Sequence, residues 1–250
     1  LRIKHAFDSR IPATSRLPFL LFPPLPFPPF FAILGGMTTY VLWLAGGAAA
    51  YLLGSVPFGF LIAKTRGKDI RTLGSGNIGA TNVFRSVSKP LGLLTFALDF
   101  LKGFCGVTLI PALAERATGV AAAGMGLAVF CGALTVIGHN WTCFLKFKGG
   151  KGVATSAGLL LGLAPAGVGI AFAVWLALFL ATRYVSVASI GAALSLAAVV
   201  WWPLALHARH GVWFAGVLTL LALLAVWKHR SNIARLRAGT ESRFTFGKKV

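Results

Sequence analysis

The residues able to do chemistry in this chain gather in three short stretches of an otherwise greasy sequence. They are Gly74-Ser75-Gly76-Asn77-Ile78-Gly79-Ala80-Thr81-Asn82, Lys146-Phe147-Lys148-Gly149-Gly150-Lys151-Gly152, and Lys228-His229-Arg230-Ser231-Asn232. Each brings flexible backbone, small hydroxyls and amides, or cations together beside segments almost free of charge. That combination suits phosphate, because glycine lets backbone N–H groups close around an anion while Lys and Arg neutralise it.

In the first stretch Gly74, Gly76 and Gly79 have the GxGxxG spacing, but a dinucleotide-binding turn must follow a strand in a βαβ unit, and nothing here supplies one. Ser75, Asn77, Thr81 and Asn82 can still bond a phosphate or a glycerol hydroxyl, with Arg71 and Arg85 as charge partners. A solvated linker is the plain alternative. The second stretch lacks the Walker A spacing. Gly149, Gly150, Lys151 and Gly152 instead form a basic glycine turn directly before a hydrophobic segment, whose helix N-terminus would favour an anion. His139, just upstream, is either a general base near neutral pH or a partner for a loop carbonyl. His229 and Asn232 are i,i+3 neighbours at the end of the last hydrophobic run.

These stretches must be positioned by membrane helices. The chain has 250 residues, 57% hydrophobic and 12% charged, against about 25% charge in a soluble domain. An all-α polytopic membrane protein follows, with hydrophobic runs at about 40–63, 91–114, 120–138, 153–163, 166–180, 185–206 and 212–227. The expected count is therefore seven transmembrane helices joined by cytoplasmic glycine-rich loops, with the fourth short for a bilayer of about 30 Å. Seventeen of the 24 Lys and Arg lie at 64–90, 146–151, 183 and 228–250. Only Arg116 and Arg209 lie between runs on the other side, so the positive-inside rule puts all three stretches in the cytoplasm.

Five acidic residues, Asp8, Asp69, Asp99, Glu115 and Glu241, are too few for a di-metal carboxylate site or paired-carboxylate catalysis. The net charge of +19 in so apolar a chain points to lipid headgroups and anionic substrates rather than nucleic acid. Asp99 and Lys102, three apart within the second run, are either a structural ion pair or, through Lys102, a substrate contact. Leu53-Gly54-Ser55-Val56-Pro57-Phe58-Gly59 reads as close helix packing with a proline kink, or as a kink that opens a cavity. Arg183 and Tyr184 are ordinary interface anchors, and Ser189 lies one turn inside the following run. Cys105, Cys131 and Cys143 follow no metal or disulfide spacing and read as structural thiols.

Residues 1–36 hold seven of the twelve prolines and read as a Pro-rich N-terminal extension. Met37 directly precedes the first run and is the expected natural start. Residues 37–244 then form a single transmembrane domain, and 245–250 a basic tail.

Taken in order, Gly54–Lys64, Asp69–Arg85, Leu98–Gly103, Gly138–Gly158, Arg183–Ile190 and His229–Glu241 closely resemble the PlsY family, bacterial integral-membrane glycerol-3-phosphate acyltransferases that use acyl phosphate. The resemblance implies seven spans in the bacterial inner membrane, with the active site facing the cytoplasm. The implied reaction transfers a fatty acyl group from acyl phosphate to the 1-hydroxyl of sn-glycerol 3-phosphate, giving lysophosphatidic acid and phosphate, as the first acylation of phospholipid synthesis. Neither metal, coenzyme A nor another cofactor is expected. The resemblance further implies catalytic roles for Ser75, Lys151, His229 and Asn232. Substrate contacts are implied from Gly74, Gly76, Asn77, Gly79, Thr81, Asn82, Arg85, Lys102, His139, Gly149, Gly150, Gly152 and Ser189. No His is followed five residues later by Asp, so the chain lacks the HxxxxD acyltransferase pair, which favours a mechanism without a His–Asp base; no covalent acyl intermediate on the protein is expected.

Overall fold

A computed structural model describes residues 36–118, 124–201 and 207–245, and among the described residues it contains helices and no strand. In chain order these are α1 (Gly36–Ser55), α2 (Phe58–Lys64), α3 (Ala80–Ser86), α4 (Lys89–Thr118), α5 (Gly124–Asn140), α6 (Val153–Leu163), α7 (Pro165–Thr182), α8 (Val185–Val200), α9 (His207–Lys228) and α10 (Arg230–Arg237). The Pro-rich stretch and nearly all of the basic tail lie outside the described residues.

Among the described residues, four helical segments are long and apolar enough to cross a membrane: Thr39–Lys64, Lys89–Ala117, Gly124–Leu145 and Pro165–Thr182. The pair Val212–Lys228 and Arg230–Arg237, bent by 48°, makes a fifth if taken together, and Val153–Leu163 and Val185–Val200 are shorter apolar helices. Seven apolar helices thus stand where seven runs were expected, but only four or five meet the length of a full crossing. The two short ones fall below the roughly 20 residues a span requires.

Small residues let these helices touch backbone to backbone. A methyl at Gly103 would come within 2.0 Å of the Thr155 carbonyl, and one at Gly158 within 1.9 Å of the Phe100 carbonyl. The α4–α6 contact is therefore closed to any larger side chain. The turn from α6 to α7 is a single residue, Ala164, because Pro165 at the first position of α7 cannot continue the preceding helix.

The first span breaks where Pro57 removes a backbone donor. Lys102 Nζ donates to the Gly54 and Val56 carbonyls at 2.8 and 2.9 Å and lies 3.0 Å from Asp99 Oδ1. One buried ammonium thus satisfies the carbonyls at the break and an acid on its own helix. The kink is a packing joint between α1 and α4.

Candidate active site

At the end of the bundle that carries the glycine-rich loops lies a cavity of about 630 Å³. Its walls come from the loop before α3, α3 itself, the N-termini of α6 and α8, α10, and the segment after α10.

Asn82 builds the first wall. Its Nδ2 faces the carbonyls of Ile70, Leu73 and Asn77 at 3.2, 2.9 and 2.8 Å, while its Oδ1 accepts from the Ser75 N–H at 3.1 Å. The loop is wound around this amide, and a Cβ at Gly74 (φ 55°) would meet Asn82 Oδ1 at 2.4 Å. Asn77 Oδ1 accepts from the Gly79 N–H at 2.8 Å, closing an Asx turn before α3. Ser75, Thr81 and Arg85 are left lining the cavity.

The second wall is the turn that ends in Gly152, the residue before α6. Gly152 has φ 79° and no side chain caps the helix, so the first N–H groups of α6, at Val153 and Ala154, border the cavity. Lys151 enters from the same turn and donates to Asn232 Oδ1 on α10. Burial pushes the Lys151 ammonium down to about 8, with Glu241 opposing the shift and Arg235, Arg85 and Lys228 adding to it.

The third wall closes around Glu241. Its carboxylate accepts from Asn232 Nδ2 at 2.7 Å, Ser186 Oγ at 2.8 Å and Arg235 Nε at 2.7 Å. Burial alone would raise this acid, but those donors outweigh it and hold Glu241 below the ordinary carboxylate range. The segment after α10 is strapped down by Arg85 to the Ser242 carbonyl at 3.1 Å and by Phe244 N–H to the Arg183 carbonyl at 2.8 Å. His229 Nδ1 lies 2.7 Å from the Ala225 carbonyl. Since a carbonyl only accepts, Nδ1 carries a proton, leaving Nε2 as the other ring nitrogen.

Of the residues expected from sequence, Gly74, Ser75, Asn77, Gly79, Thr81, Asn82, Arg85, His139, Lys151, Gly152, Ser189, His229 and Asn232 all line this one cavity. Four do not. Lys102 is spent on the α1 break and Asp99, which corrects the expectation that it reaches substrate. Gly76 (φ 69°) supplies the loop's left-handed turn. Gly149 and Gly150 pack on His139, where a methyl at Gly150 would come within 2.1 Å of Nε2; the Gly150 N–H donates to the His139 carbonyl at 2.9 Å. Those glycines make room for His139 rather than for a ligand.

Sequence reasoning missed Glu241, Ser186, Arg235 and Trp175. Glu241 carried a signal, as a rare acid in a strongly basic segment. Trp175 carried none, yet its Nε1 donates to Ser189 Oγ at 3.2 Å. Together with Phe96, Val153 and Ser189 it also borders a second, apolar cavity of about 260 Å³ between α4, α6, α7, α8 and α9. A polar chamber thus opens directly onto an apolar groove.

Residues 30–239 match the family profile described as glycerol-3-phosphate acyltransferase. The chain is 47% identical over 201 residues to the glycerol-3-phosphate acyltransferase of Desulforamulus reducens, covering 80% of this chain and 93% of that one. It is 45% identical over 196 residues to that of Aquifex aeolicus, covering 78% and 95%. Among solved structures it is similar to PlsY (YgiH), an integral membrane glycerol 3-phosphate acyltransferase. In the glycerol 3-phosphate form the TM-score is 0.70 at 41% identity, over 81% of this chain and 96% of that one. In the lysophosphatidic acid form it is 0.67 at 40%, over 81% and 95%. With apolar helices throughout and agreement over nearly the full length of its relatives, the chain belongs to the glycerol-3-phosphate acyltransferase family, as an integral-membrane enzyme of phospholipid synthesis.

Proposed function

We propose that this enzyme takes its acyl group from acyl phosphate and passes it directly to the 1-hydroxyl of sn-glycerol 3-phosphate. The observation that carries the reading is the junction of the two cavities at Phe96, Val153, Trp175 and Ser189. A reaction between a lipid-soluble donor and a phosphorylated acceptor needs such a junction. The acyl tail lies in the apolar groove, and the reacting carbonyl and both phosphates lie in the polar chamber.

Ser75 and the loop amides hold the acyl phosphate. Arg85, Lys151 and Ser189, with the first N–H groups of α6, hold the phosphate of the acceptor. His229 and Asn232 orient groups at the transfer point. The hydroxyl oxygen attacks the acyl carbonyl carbon, the bond from that carbon to the bridging phosphate oxygen breaks, and inorganic phosphate leaves. The hydroxyl proton passes to a phosphate oxygen. Acyl phosphate is a mixed anhydride, so positioning and charge stabilisation supply much of the acceleration. No protein acyl ester forms, and neither coenzyme A nor a metal takes part. The cation-rich loops support a chamber facing the cytoplasm from the bacterial inner membrane, as the positive-inside rule expects.

Purified protein is incubated with palmitoyl phosphate and glycerol 3-phosphate, with palmitoyl-CoA in a parallel reaction. Lysophosphatidic acid and phosphate are expected from the first only. Trapping an acyl-enzyme, or product from the CoA donor alone, would overturn the reading. Activity in inside-out but not right-side-out vesicles tests the sidedness.

A further inference from the structure

The basic turn before α6 divides into two parts facing different surroundings. Lys151 and Gly152 line the cavity, but Lys146, Phe147 and Lys148 do not, and all three are exposed. Phe144 and Phe147 show 59% and 61% of their surface. Neither the Lys146 nor the Lys148 ammonium is engaged by a protein acceptor among the described residues.

The backbone goes to some expense to hold this arrangement. Lys146 and Phe147 are consecutive left-handed residues, at φ 53° and 59°, a conformation disfavoured for bulky side chains. It persists because the turn is over-determined. Phe147 N–H donates to the Thr142 carbonyl at 2.9 Å and Lys148 N–H to the Leu145 carbonyl at 3.1 Å. Thr142 caps the turn by accepting from the Phe144 N–H at 3.2 Å and is itself anchored to the Ser55 carbonyl. Backbone strain maintained by this many bonds calls for a function. The cavity needs only Lys151, so it does not explain why two aromatics and two lysines are turned away from it.

Position supplies the explanation. The apolar segment Gly124–Leu145 runs straight into this turn, so the turn emerges at the level of the headgroups. Aromatic rings and lysines are the residues that partition there, the rings at the tops of the acyl chains and the ammoniums at the phosphates. We infer that the turn Cys143–Lys148 is an interfacial binding site for anionic phospholipid, with Phe144 and Phe147 seated in the bilayer surface and Lys146 and Lys148 on headgroup phosphates. Lipid seated there braces the strained turn, three residues before Lys151.

The full chain is placed in lipid nanodiscs with an increasing fraction of phosphatidylglycerol in phosphatidylcholine, and its melting temperature is followed. This readout needs no turnover and stands whether or not acyl phosphate is the donor. Melting is expected to rise with anionic lipid and to fall back with added salt, each lysine contributing about fivefold in preference for the anionic surface. Lys146→Gln/Lys148→Gln should abolish most of the rise, and Phe144→Ser/Phe147→Ser should weaken it. Arg66→Gln/Lys89→Gln, which removes the same charge from exposed positions at this end of the bundle, should retain it. If the two charge-matched variants lose the rise equally, only net charge matters and the site does not exist. A rise of the same size from soluble inorganic phosphate in neutral discs that is lost in Lys146→Gln/Lys148→Gln would likewise overturn the assignment to lipid.

Discussion

Lys151 and Asn232, 81 residues apart in sequence, meet across the cavity, the lysine ammonium donating to the amide oxygen. The orientation of that amide is fixed, because its Nδ2 donates to Glu241 at 2.7 Å. Glu241 is in turn held by Ser186 and Arg235. The turn before α6, the helix after α9, the start of α8 and the C-terminal segment thus share one chain of hydrogen bonds. A phosphate held by Lys151, as proposed, would share the ammonium with Asn232 and so meet this chain of hydrogen bonds at its end.

Removing Lys151 should therefore cost transition-state stabilisation more than folding. Lys151→Ala is expected to lower kcat/KM for glycerol 3-phosphate by about 10²- to 10³-fold, the loss typical of one preorganised electrostatic group. Its circular dichroism and size-exclusion profile should match the parent. Normal turnover would remove Lys151 from the site.

The depressed Lys151 value sets a pH dependence with opposite signs for stability and activity. Folded Lys151 releases its proton near pH 8, whereas unfolded lysine holds it to about 10.4. Between those values the unfolded chain binds more protons, so stability from this group rises with pH. Anion binding needs the charged form, so kcat/KM for glycerol 3-phosphate should fall above about pH 8. Lys151→Arg should move that alkaline limb upward, because guanidinium stays charged. A limb unmoved in Lys151→Arg would assign it to another group.

The contrast between Lys151 and Lys102 shows what the sequence makes legible. Lys151 sits among glycines before a helix, and that local chemistry suffices to mark an anion site. Lys102 announces itself only as a charge in a hydrophobic run. Its partners are the Gly54 and Val56 carbonyls at the break beside Pro57, nearly fifty residues away, and no local pattern reveals them. Glu241 is similar: its three donors come from 186, 232 and 235, and only its rarity as an acid hinted at them. Glycine packing accounts for two expected ligands in the same way, since Gly150 faces the ring of His139 and Gly149 the backbone of His139 and Asn140. The helices themselves were readable from apolar runs. Whether α6 and α8 cross the bilayer fully depends on how their neighbours cover their ends.

Lys102→Met separates a joint from a ligand. It leaves Asp99 buried without its ammonium and takes a donor from the Gly54 and Val56 carbonyls at the α1 break, so a loss of about 3–5 kcal/mol is expected. Asp99→Asn combined with Lys102→Met should recover part of that stability, because the orphaned charge is gone. Thermal melting in detergent reads both. A protein that melts normally but has a raised KM for glycerol 3-phosphate would return Lys102 to the substrate.

Glu241→Ala should release the C-terminal segment. Asn232 Nδ2, Ser186 Oγ and Arg235 Nε all lose their acceptor, and the amide is then free to turn away from Lys151. The expected result is earlier cleavage by trypsin after Arg237 or Arg243, together with at least tenfold lower activity. Glu241→Gln keeps an acceptor oxygen and should fall between. Equal proteolysis of variant and parent would show that Glu241 does not hold the segment.

Gly150→Ala tests whether His139 and the Lys151 turn are one unit. The added methyl would lie 2.1 Å from His139 Nε2 and 2.8 Å from Cε1, closer than any real contact, and the ring cannot retreat freely. His139 is buried, with Nδ1 3.5 Å from Asp99 Oδ1, and Asp99 is held by Lys102. The backbone has to yield instead, which stretches the bond from the Gly150 N–H to the His139 carbonyl and displaces Lys151, the next residue. Because Ser75 and the first loop are held by Asn82 rather than by Gly150 or Lys151, the proposed acyl phosphate site should be spared. Gly150→Ala is thus expected to raise KM for glycerol 3-phosphate about tenfold or more while leaving KM for acyl phosphate nearly unchanged, a displacement near 1 Å being enough for such losses. Equal increases in both constants would mean that the two loops move together.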